Sequence, residues 1–156
     1  MTAGPKSARA FRGALPADAP AIRSLLFQAN RSSPAVGDCE HVTHQRMGEI
    51  LTFVCEEEGK LLGILEWRDL GEEAEILDLA VEPQHRRQGL ASFLLENFML
   101  WLSRTTVRSI FLEVRESNFA AIALYAKFGF KNCGRRPNYY RDPDETALLM
   151  TASLRA

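Results

Sequence analysis

The chain has 156 residues, of which 46% are hydrophobic and 25% are charged. This length and balance predict one ordinary globular domain over residues 1–156, with residues 1–7 as a disordered tail. The formal net charge of −1 argues against a broad nucleic-acid or membrane-surface footprint, and no apolar run reaches the roughly 18 residues that span a bilayer.

Cysteine usage indicates a reducing compartment. Cys39, Cys55 and Cys133 are odd in number and widely spaced, which is typical neither of a disulfide framework nor of a zinc site. Residues 1–13 contain no apolar core of signal-peptide length. We therefore expect free thiols and a cytoplasmic protein.

The first third of the chain predicts a strand, a helix and a loop. Residues 8–15 favour a strand, and Asp18 is a good N-cap for a helix that runs to about Asn30. Residues 31–38 favour a loop. A shorter helix over residues 41–50 would carry two histidines three residues apart, which suit a solvated helix face better than a metal site because no third ligand is near.

From residue 51 onward, strands alternate with helices. Strands are predicted over residues 52–56, 61–68, 75–81, 108–115, 130–135 and 146–152. Helices are predicted over residues 90–102 and 118–128, and a loop over residues 137–145. Consecutive strands favour antiparallel pairing and helical crossings favour parallel pairing, so we predict a mixed α/β (α+β) sheet of about six to seven strands with helices on both faces.

One segment, residues 79–92 (LAVEPQHRRQGLAS), predicts an anion site. It passes from an apolar strand through a basic turn into a helix start, where free backbone N–H groups and the helix dipole favour a bound phosphate. Arg86 and Arg87 add positive charge, as the Arg135-Arg136 pair does elsewhere. Gly89 lets the backbone come close to a ligand.

A carboxylate and a tyrosine follow this turn. Glu113 stands in an otherwise apolar strand, where an unpaired charge is costly and often marks a site. The alternative is an ion pair with Arg115 or another arginine. Asn118 and Tyr125 lie seven residues apart and share a helix face, although Tyr125 alone also suits a core aromatic with its hydroxyl at the surface.

The segment LAVEPQHRRQGLAS followed by LEVRESNFAAIALYAKFGF resembles the Gcn5-related N-acetyltransferases (GNAT). With RRPNYYRDPDETALLM it is most similar to the RimI-type branch, which acetylates the N-terminal alanine of a small-subunit ribosomal protein. The resemblance covers roughly residues 76–150. It implies the GNAT fold, acetyl-CoA as cosubstrate without a metal, and direct transfer of acetyl to an amine.

The resemblance also implies which residues hold acetyl-CoA. The turn that takes the pyrophosphate comprises Arg86, Arg87, Gln88, Gly89, Leu90, Ala91 and Ser92. The strand edge at Leu79, Ala80 and Val81 would pair with the pantetheine arm. Asn118 matches a position that contacts this arm.

For the reaction itself, the resemblance assigns Glu113 as the base, acting directly or through water, and Tyr125 as the group that protonates the departing thiolate. Tyr139 and Tyr140 match a tyrosine pair that lines the peptide slot, with Tyr139 nearer the substrate N-terminus. A backbone N–H from the strand at residues 79–81 is expected to stabilise the oxyanion.

The acceptor implied is a protein or peptide N-terminus, a ribosomal protein among them. An α-amino group has a pKa near 8 against about 10.4 for lysine, so it needs less help to lose its proton. No direct nucleic-acid or membrane partner is expected, and the chain should be a monomer or a weak homodimer. Residues 31–42 lack the aromatic element usual in this branch, which leaves a small-molecule amine acetyltransferase, or a non-catalytic acetyl-CoA-binding module, as alternatives.

Overall fold

The computed structural model describes residues 8–29 and 48–154, which form a seven-stranded sheet with three helices. The strands are β1 (Ala10–Gly13), β2 (Ile50–Glu57), β3 (Lys60–Asp69), β4 (Glu73–Val81), β5 (Ser109–Arg115), β6 (Lys131–Tyr140) and β7 (Glu145–Ser153). The helices are α1 (Ala19–Ala29), α2 (Leu90–Leu102) and α3 (Phe119–Lys127). The predicted mixed sheet is confirmed, and α2 has the predicted bounds.

The prediction of a helix over residues 41–50 is wrong at its carboxyl-terminal end. Ile50 opens β2 and pairs with Arg68 of β3, because the apolar run that follows it is needed in the sheet. Residues 41–47, with both histidines, lie outside the described part of the chain, as do Cys39 and the predicted tail at residues 1–7.

The loop predicted over residues 137–145 is also shorter than expected. β6 continues to Tyr140, which pairs with Glu145 at the start of β7. Pro137 is tolerated because β6 is the last strand of the sheet, where one edge needs no ladder hydrogen bonds. Tyr139 and Tyr140 therefore stand on a strand, which restricts their backbone more than a loop would.

The sheet separates between β4 and β5. The order is β1-β2-β3-β4-β5-β7-β6, with β4 and β5 parallel and the other neighbours antiparallel. β4 pairs with β5 only from Glu73 to Ile76, against Ser109 to Leu112. Beyond these pairs both strands continue unpaired with each other, and we call the space between residues 77–81 and 113–115 the β4–β5 gap.

A β-bulge at Leu77 changes the direction of the side chains at this gap. Trp67 pairs with Ile76, but the next residue back, Glu66, pairs with Asp78, so Leu77 is the extra residue of β4. Ile76 belongs to the core with Trp67. Asp78 consequently lies on the opposite face of the sheet, next to Glu66.

Helices cover both faces of the sheet, as predicted. On one face α1 packs on β2, β3 and β4 through Ile22, Leu25, Leu26, Val54, Ile64 and Ala80. On the other face α2 buries Leu95, Phe98 and Leu102 against Phe53, Leu65 and Trp67, and Tyr125 of α3 joins the same cluster. Leu95 is fully buried in this core. None of the described helices is long and apolar enough to cross a membrane.

Candidate active site

The basic turn after β4 has the backbone of an anion cradle. Past a 3₁₀ turn at Pro83–His85, Arg87 has a φ of 60° and Gly89, the N-cap of α2, has a φ of 77°. Residues with a positive φ just before a helix orient successive backbone N–H groups toward one concave surface. The first N–H groups of α2, those of Leu90, Ala91 and Ser92, have no acceptor within the helix.

This turn is open to solvent. Arg86, Arg87, Gln88 and Gly89 are exposed, and a Cβ placed on Gly89 would meet no atom within 4 Å. Arg86 Nε donates to the Val81 carbonyl at 3.4 Å, which ties the turn to the end of β4. The geometry and charge fit a phosphate ligand.

The gap lies beside this turn. Because β4 and β5 are parallel, their carboxyl ends, the basic turn and the start of α3 meet at the same edge of the sheet. Leu79, Ala80 and Val81 pair with β3 on one side, and their other edge faces the gap. Asn118 caps α3 by accepting from the Ala121 N–H at 3.2 Å.

Glu113 projects from β5 toward the face that carries α1. Its neighbours Leu112 and Val114 alternate with it and belong to the core on the α2 side. Its side chain is 15% exposed, and Oε1 lies 3.1 Å from Arg136 Nη1. The predicted alternative of an arginine partner is thus present, but the partner is Arg136 of β6 and not Arg115.

Two tyrosines at the end of β6 adjoin this carboxylate. A hydrogen bond to Glu113, together with burial, raises the pKa of Tyr139. Burial and then the Glu113 charge raise the pKa of Tyr140 to about 12. The two rings stand perpendicular with centroids 5.1 Å apart, and Tyr139 is 47% exposed, so the pair forms an accessible aromatic wall beside Glu113.

Tyr125 lies on the other side of the sheet, in the core. It is 7% exposed and packs on Phe130 with ring centroids 5.5 Å apart. Burial raises the pKa of Tyr125 well above its usual range, and the charges of Asp78 and Tyr140 add to this effect. Asp78 lies on β4 and Tyr140 lies on β6, so groups on both sides of the β4–β5 gap contribute to the raised pKa of Tyr125.

Carboxylates are concentrated on the α1 face near the gap. Phe111 pairs with Glu75 in register, and Glu113 follows on the same face. The bulge places Asp78 on this face as well, beside Glu66. Burial, followed by the Asp78 charge, raises the pKa of Glu66 to about 7. Two of these carboxylates are paired with arginines, Glu75 with Arg68 and Glu113 with Arg136.

Two residues of this arrangement, Arg136 and Asp78, were not predicted as parts of the site. Arg136 was noted only as part of a basic pair, and Asp78 only as a residue of a strand. A carboxylate in a strand next to a predicted site was the available signal for Asp78. Among the described residues, no group of His, Cys, Asp and Glu side chains could hold a metal ion, and Cys55 and Cys133 are free thiols.

The comparisons with known proteins agree on one family. Residues 20–130 match the sequence model of the acetyltransferase (GNAT) family. The chain is 39% identical over 102 residues to the ribosomal protein bS18-alanine N-acetyltransferase of Escherichia coli K12, covering 64% of this chain and 69% of that protein. It is 34% identical over 126 residues to an N-alpha-acetyltransferase of Sulfurisphaera tokodaii, covering 72% of this chain and 75% of that protein.

Solved structures give the same result. The crystal structure of the ribosomal-protein-S18-alanine N-acetyltransferase from Escherichia coli superposes with a TM-score of 0.79 at 29% identity, over 96% of each chain.

Proposed function

Since the chain belongs to the acetyltransferase (GNAT) family and is an N-acetyltransferase, we propose that it acetylates the N-terminal α-amino group of a protein. A ribosomal protein is the favoured class of acceptor, because the relative at 39% identity is named for that activity. The observation that carries this proposal is the placement of Glu113 and the tyrosine wall on one side of the β4–β5 gap, with the Tyr125 hydroxyl buried on the other.

The residues beside the gap fit acetyl-CoA, the cosubstrate of this family. The N–H groups at residues 87–92 and the two adjacent arginines suit its pyrophosphate. The free edge of β4 at Leu79, Ala80 and Val81 suits an extended arm that adds to the sheet as a strand does. The Asn118 side-chain N–H₂ is a further donor, since its oxygen is used by the helix cap.

Glu113 is the proposed proton acceptor. An attacking amine must first lose the proton of its ammonium form, and a carboxylate within reach of it can take that proton directly or through water. Glu113 lies at the exposed tyrosine wall and is held by Arg136 and Tyr139. These two partners fix its direction and leave it beside the surface from which an acceptor would approach.

Tyr125 is the proposed proton donor. Acetyl-CoA supplies an acetyl thioester, so transfer forms an N–C bond, breaks the C–S bond and leaves a thiolate that needs a proton. A tyrosine with the ordinary pKa of about 10 is already protonated at neutral pH, and burial raises the pKa of Tyr125 further, so the hydroxyl carries a proton. A backbone N–H along residues 79–81 is the proposed donor to the oxyanion; of these groups, the Leu79 N–H donates to Asp78 Oδ1 at 2.9 Å.

The tyrosine wall favours a peptide as the acceptor. Tyr139 is exposed and adjoins Glu113, and aromatic side chains supply broad contact area at low conformational cost. The alternative, a small-molecule amine, was motivated by residues 31–42, which lie outside the described residues. The named relatives do not favour that alternative.

The test compares three acceptors with the purified protein and acetyl-CoA, measuring thiol release. The acceptors are a peptide that begins with alanine, the same peptide blocked at its N-terminus with one internal lysine, and spermidine. Turnover of the first acceptor alone is expected. Turnover of spermidine without turnover of the free peptide would overturn the peptide assignment.

A variant pair tests the role of Glu113 in the same assay. Glu113→Gln should lower the rate constant kcat by about 100-fold, in line with general-base contributions. Glu116→Gln is the matched control, because Glu116 is three residues away and more exposed, and its partner is Arg135. Equal activities of the two variants would remove Glu113 from the reaction.

A further inference from the structure

Arg115 joins three segments around the tyrosine wall. Its Nη1 donates to the Pro143 carbonyl at 3.3 Å and to Glu145 Oε2 at 3.2 Å, and its Nη2 donates to the Arg141 carbonyl at 3.1 Å. Its guanidinium carbon also lies 4.4 Å from the centroid of the Tyr140 ring. One side chain on β5 therefore holds the turn at residues 141–144 and the end of β6 together.

Glu145 extends this set of contacts to the start of α3. Its Oε1 accepts from the Ser117 N–H at 2.6 Å while Oε2 accepts from Arg115. Hydrogen bonding from Ser117 and then from Arg115 lowers the pKa of Glu145. The carboxylate is thus ionised at neutral pH, and it shares Nη1 of Arg115 with the Pro143 carbonyl.

These contacts determine where the tyrosine wall lies relative to Glu113. Arg115 and Glu113 are two residues apart on one face of β5. Tyr139 and Tyr140 are adjacent residues of β6, so a contact that holds Tyr140 also restricts Tyr139. A guanidinium that stacks on Tyr140 and binds two carbonyls of the following turn therefore fixes the distance between β6 and the base. β6 is an edge strand with an irregular register between Arg136 and Tyr140, so the β7 ladder alone constrains it weakly.

We propose that Arg115 is a positioning residue that sets the peptide side of the site by holding the Tyr139–Tyr140 pair against Glu113. This inference rests on the proposed peptide acceptor. An arginine is needed because its planar fork reaches two carbonyls and a carboxylate while its face covers a ring, which a lysine ammonium does not do. The Arg115 side chain binds Pro143, Glu145, Arg141 and Tyr140, none of which is assigned to acetyl-CoA. Its backbone carbonyl accepts from the Asn118 N–H at 2.9 Å, a contact that a side-chain substitution retains.

The kinetic test uses Arg115→Ala, Arg115→Lys and Arg141→Ala in the full chain, with an alanine-initiated peptide as acceptor. Arg115→Ala should raise the KM for the peptide by about tenfold or more, since small displacements of positioning groups have large effects. The KM for acetyl-CoA should stay within about twofold. Arg115→Lys should keep the thermal midpoint near that of the wild type without restoring the peptide KM.

Arg141→Ala is the matched control for loss of an arginine. The Arg141 side chain is exposed and pairs with Asp144 in the same turn, while its carbonyl, which Arg115 uses, is unchanged by the substitution. Wild-type kinetics are expected for this variant. Equal peptide KM values for Arg115→Ala and Arg141→Ala, or full rescue by lysine, would overturn the proposal.

A second measurement separates this inference from the proposed function. The chain contains three tyrosines, so a protein labelled with ¹³C in its tyrosine rings gives three assignable ring signals. Arg115→Ala should shift the Tyr139 and Tyr140 signals and leave that of Tyr125 in place, while Arg141→Ala should shift none. Unchanged signals in Arg115→Ala refute the positioning role, whereas a wild-type protein that acetylates no peptide refutes the proposed function.

Discussion

Two glutamates on one face of the sheet show how the surroundings of a side chain decide its chemistry. Glu66 is 8% exposed, and burial raises its pKa to about 7, so it is largely neutral in mildly acidic solution. Glu113 lies at the accessible tyrosine wall with Arg136 as its partner. A proton acceptor must meet its substrate, and only Glu113 is placed to do so.

At the scale of single residues, Tyr125→Phe tests the proton donor. The variant keeps the ring that packs on Phe130 and removes only the hydroxyl. We expect kcat to fall by about 10- to 100-fold, at the lower end of general-acid contributions, with no change in the Kd for acetyl-CoA. Steady-state kinetics and calorimetric titration with acetyl-CoA provide the two measurements.

Phe130→Leu is the control for packing around Tyr125. It perturbs the ring contact and leaves the hydroxyl in place, so it should lower the thermal midpoint while kcat changes by less than about threefold. If Tyr125→Phe weakened acetyl-CoA binding as much as it slowed turnover, Tyr125 would be a binding residue and not a proton donor.

At the scale of elements, the amphipathic pattern of α2 was enough to predict residues 90–102, because one apolar face repeats at helical spacing. The Leu77 bulge could not be predicted. Strict alternation would place Ile76 and Asp78 on one face, and only the pairing with β3 separates them. For the same reason Arg136 was not identified as the partner of Glu113, since its position depends on how β6 pairs with β7.

Burial of Glu66 on β3, with Asp78 of β4 beside it, predicts a pH dependence of stability. The native pKa of Glu66, about 7, exceeds its ordinary value of 4.5, so the native state binds this proton more tightly than the unfolded chain does. The stabilisation is complete below pH 4.5, declines as the pH rises to about 7, and changes no further above it.

Glu66→Gln stays neutral and should remove this dependence. Urea unfolding at several pH values between 4 and 8 gives the free energy of unfolding for both proteins. The free energy of the wild type minus that of the variant should decrease as the pH rises across this range. Glu72→Gln, at an exposed carboxylate paired with Arg108, is the control for loss of a surface charge. A flat difference for Glu66→Gln would show that Glu66 titrates as an exposed carboxylate.

The turn that opens α2 predicts a separate effect on ligand binding. Gly89→Ala places a side chain at a φ of 77° with open space around the Cβ, so the cost is backbone strain of about 1 kcal/mol. A shift of the backbone N–H groups should weaken acetyl-CoA binding. Gly59→Ala is the matched control, with a φ of 74° and equally open surroundings in the β2–β3 hairpin.

Both glycine variants should lose similar stability, and only Gly89→Ala should raise the Kd for acetyl-CoA. Thermal unfolding and isothermal titration measure the two quantities. An equal rise in the Kd for both variants would mean that general destabilisation, and not the backbone at residue 89, causes the weaker binding.

At the scale of the whole molecule, the sheet consists of two parts joined by a short parallel contact. β1 to β4 form one part, and β5, β7 and β6 form the other, with four paired residues on each side of the junction. The proposed base belongs to the second part, and the proposed cosubstrate edge belongs to the first. A ligand in the gap would contact both parts and so bring the two sets of groups together.

This arrangement predicts where acetyl-CoA slows hydrogen exchange. Amides along residues 77–81 include N–H groups that face the gap, and an added strand-like ligand should protect them. Hydrogen exchange followed by mass spectrometry, with and without saturating acetyl-CoA, should show protection at residues 77–81 and 87–92. Residues 50–57 of β2 are the internal reference, because β1 and β3 flank this strand. Protection confined to residues 87–92 would mean that the pyrophosphate binds at the turn while the arm leaves β4 untouched, which would contradict the proposed pairing of the arm with residues 79–81.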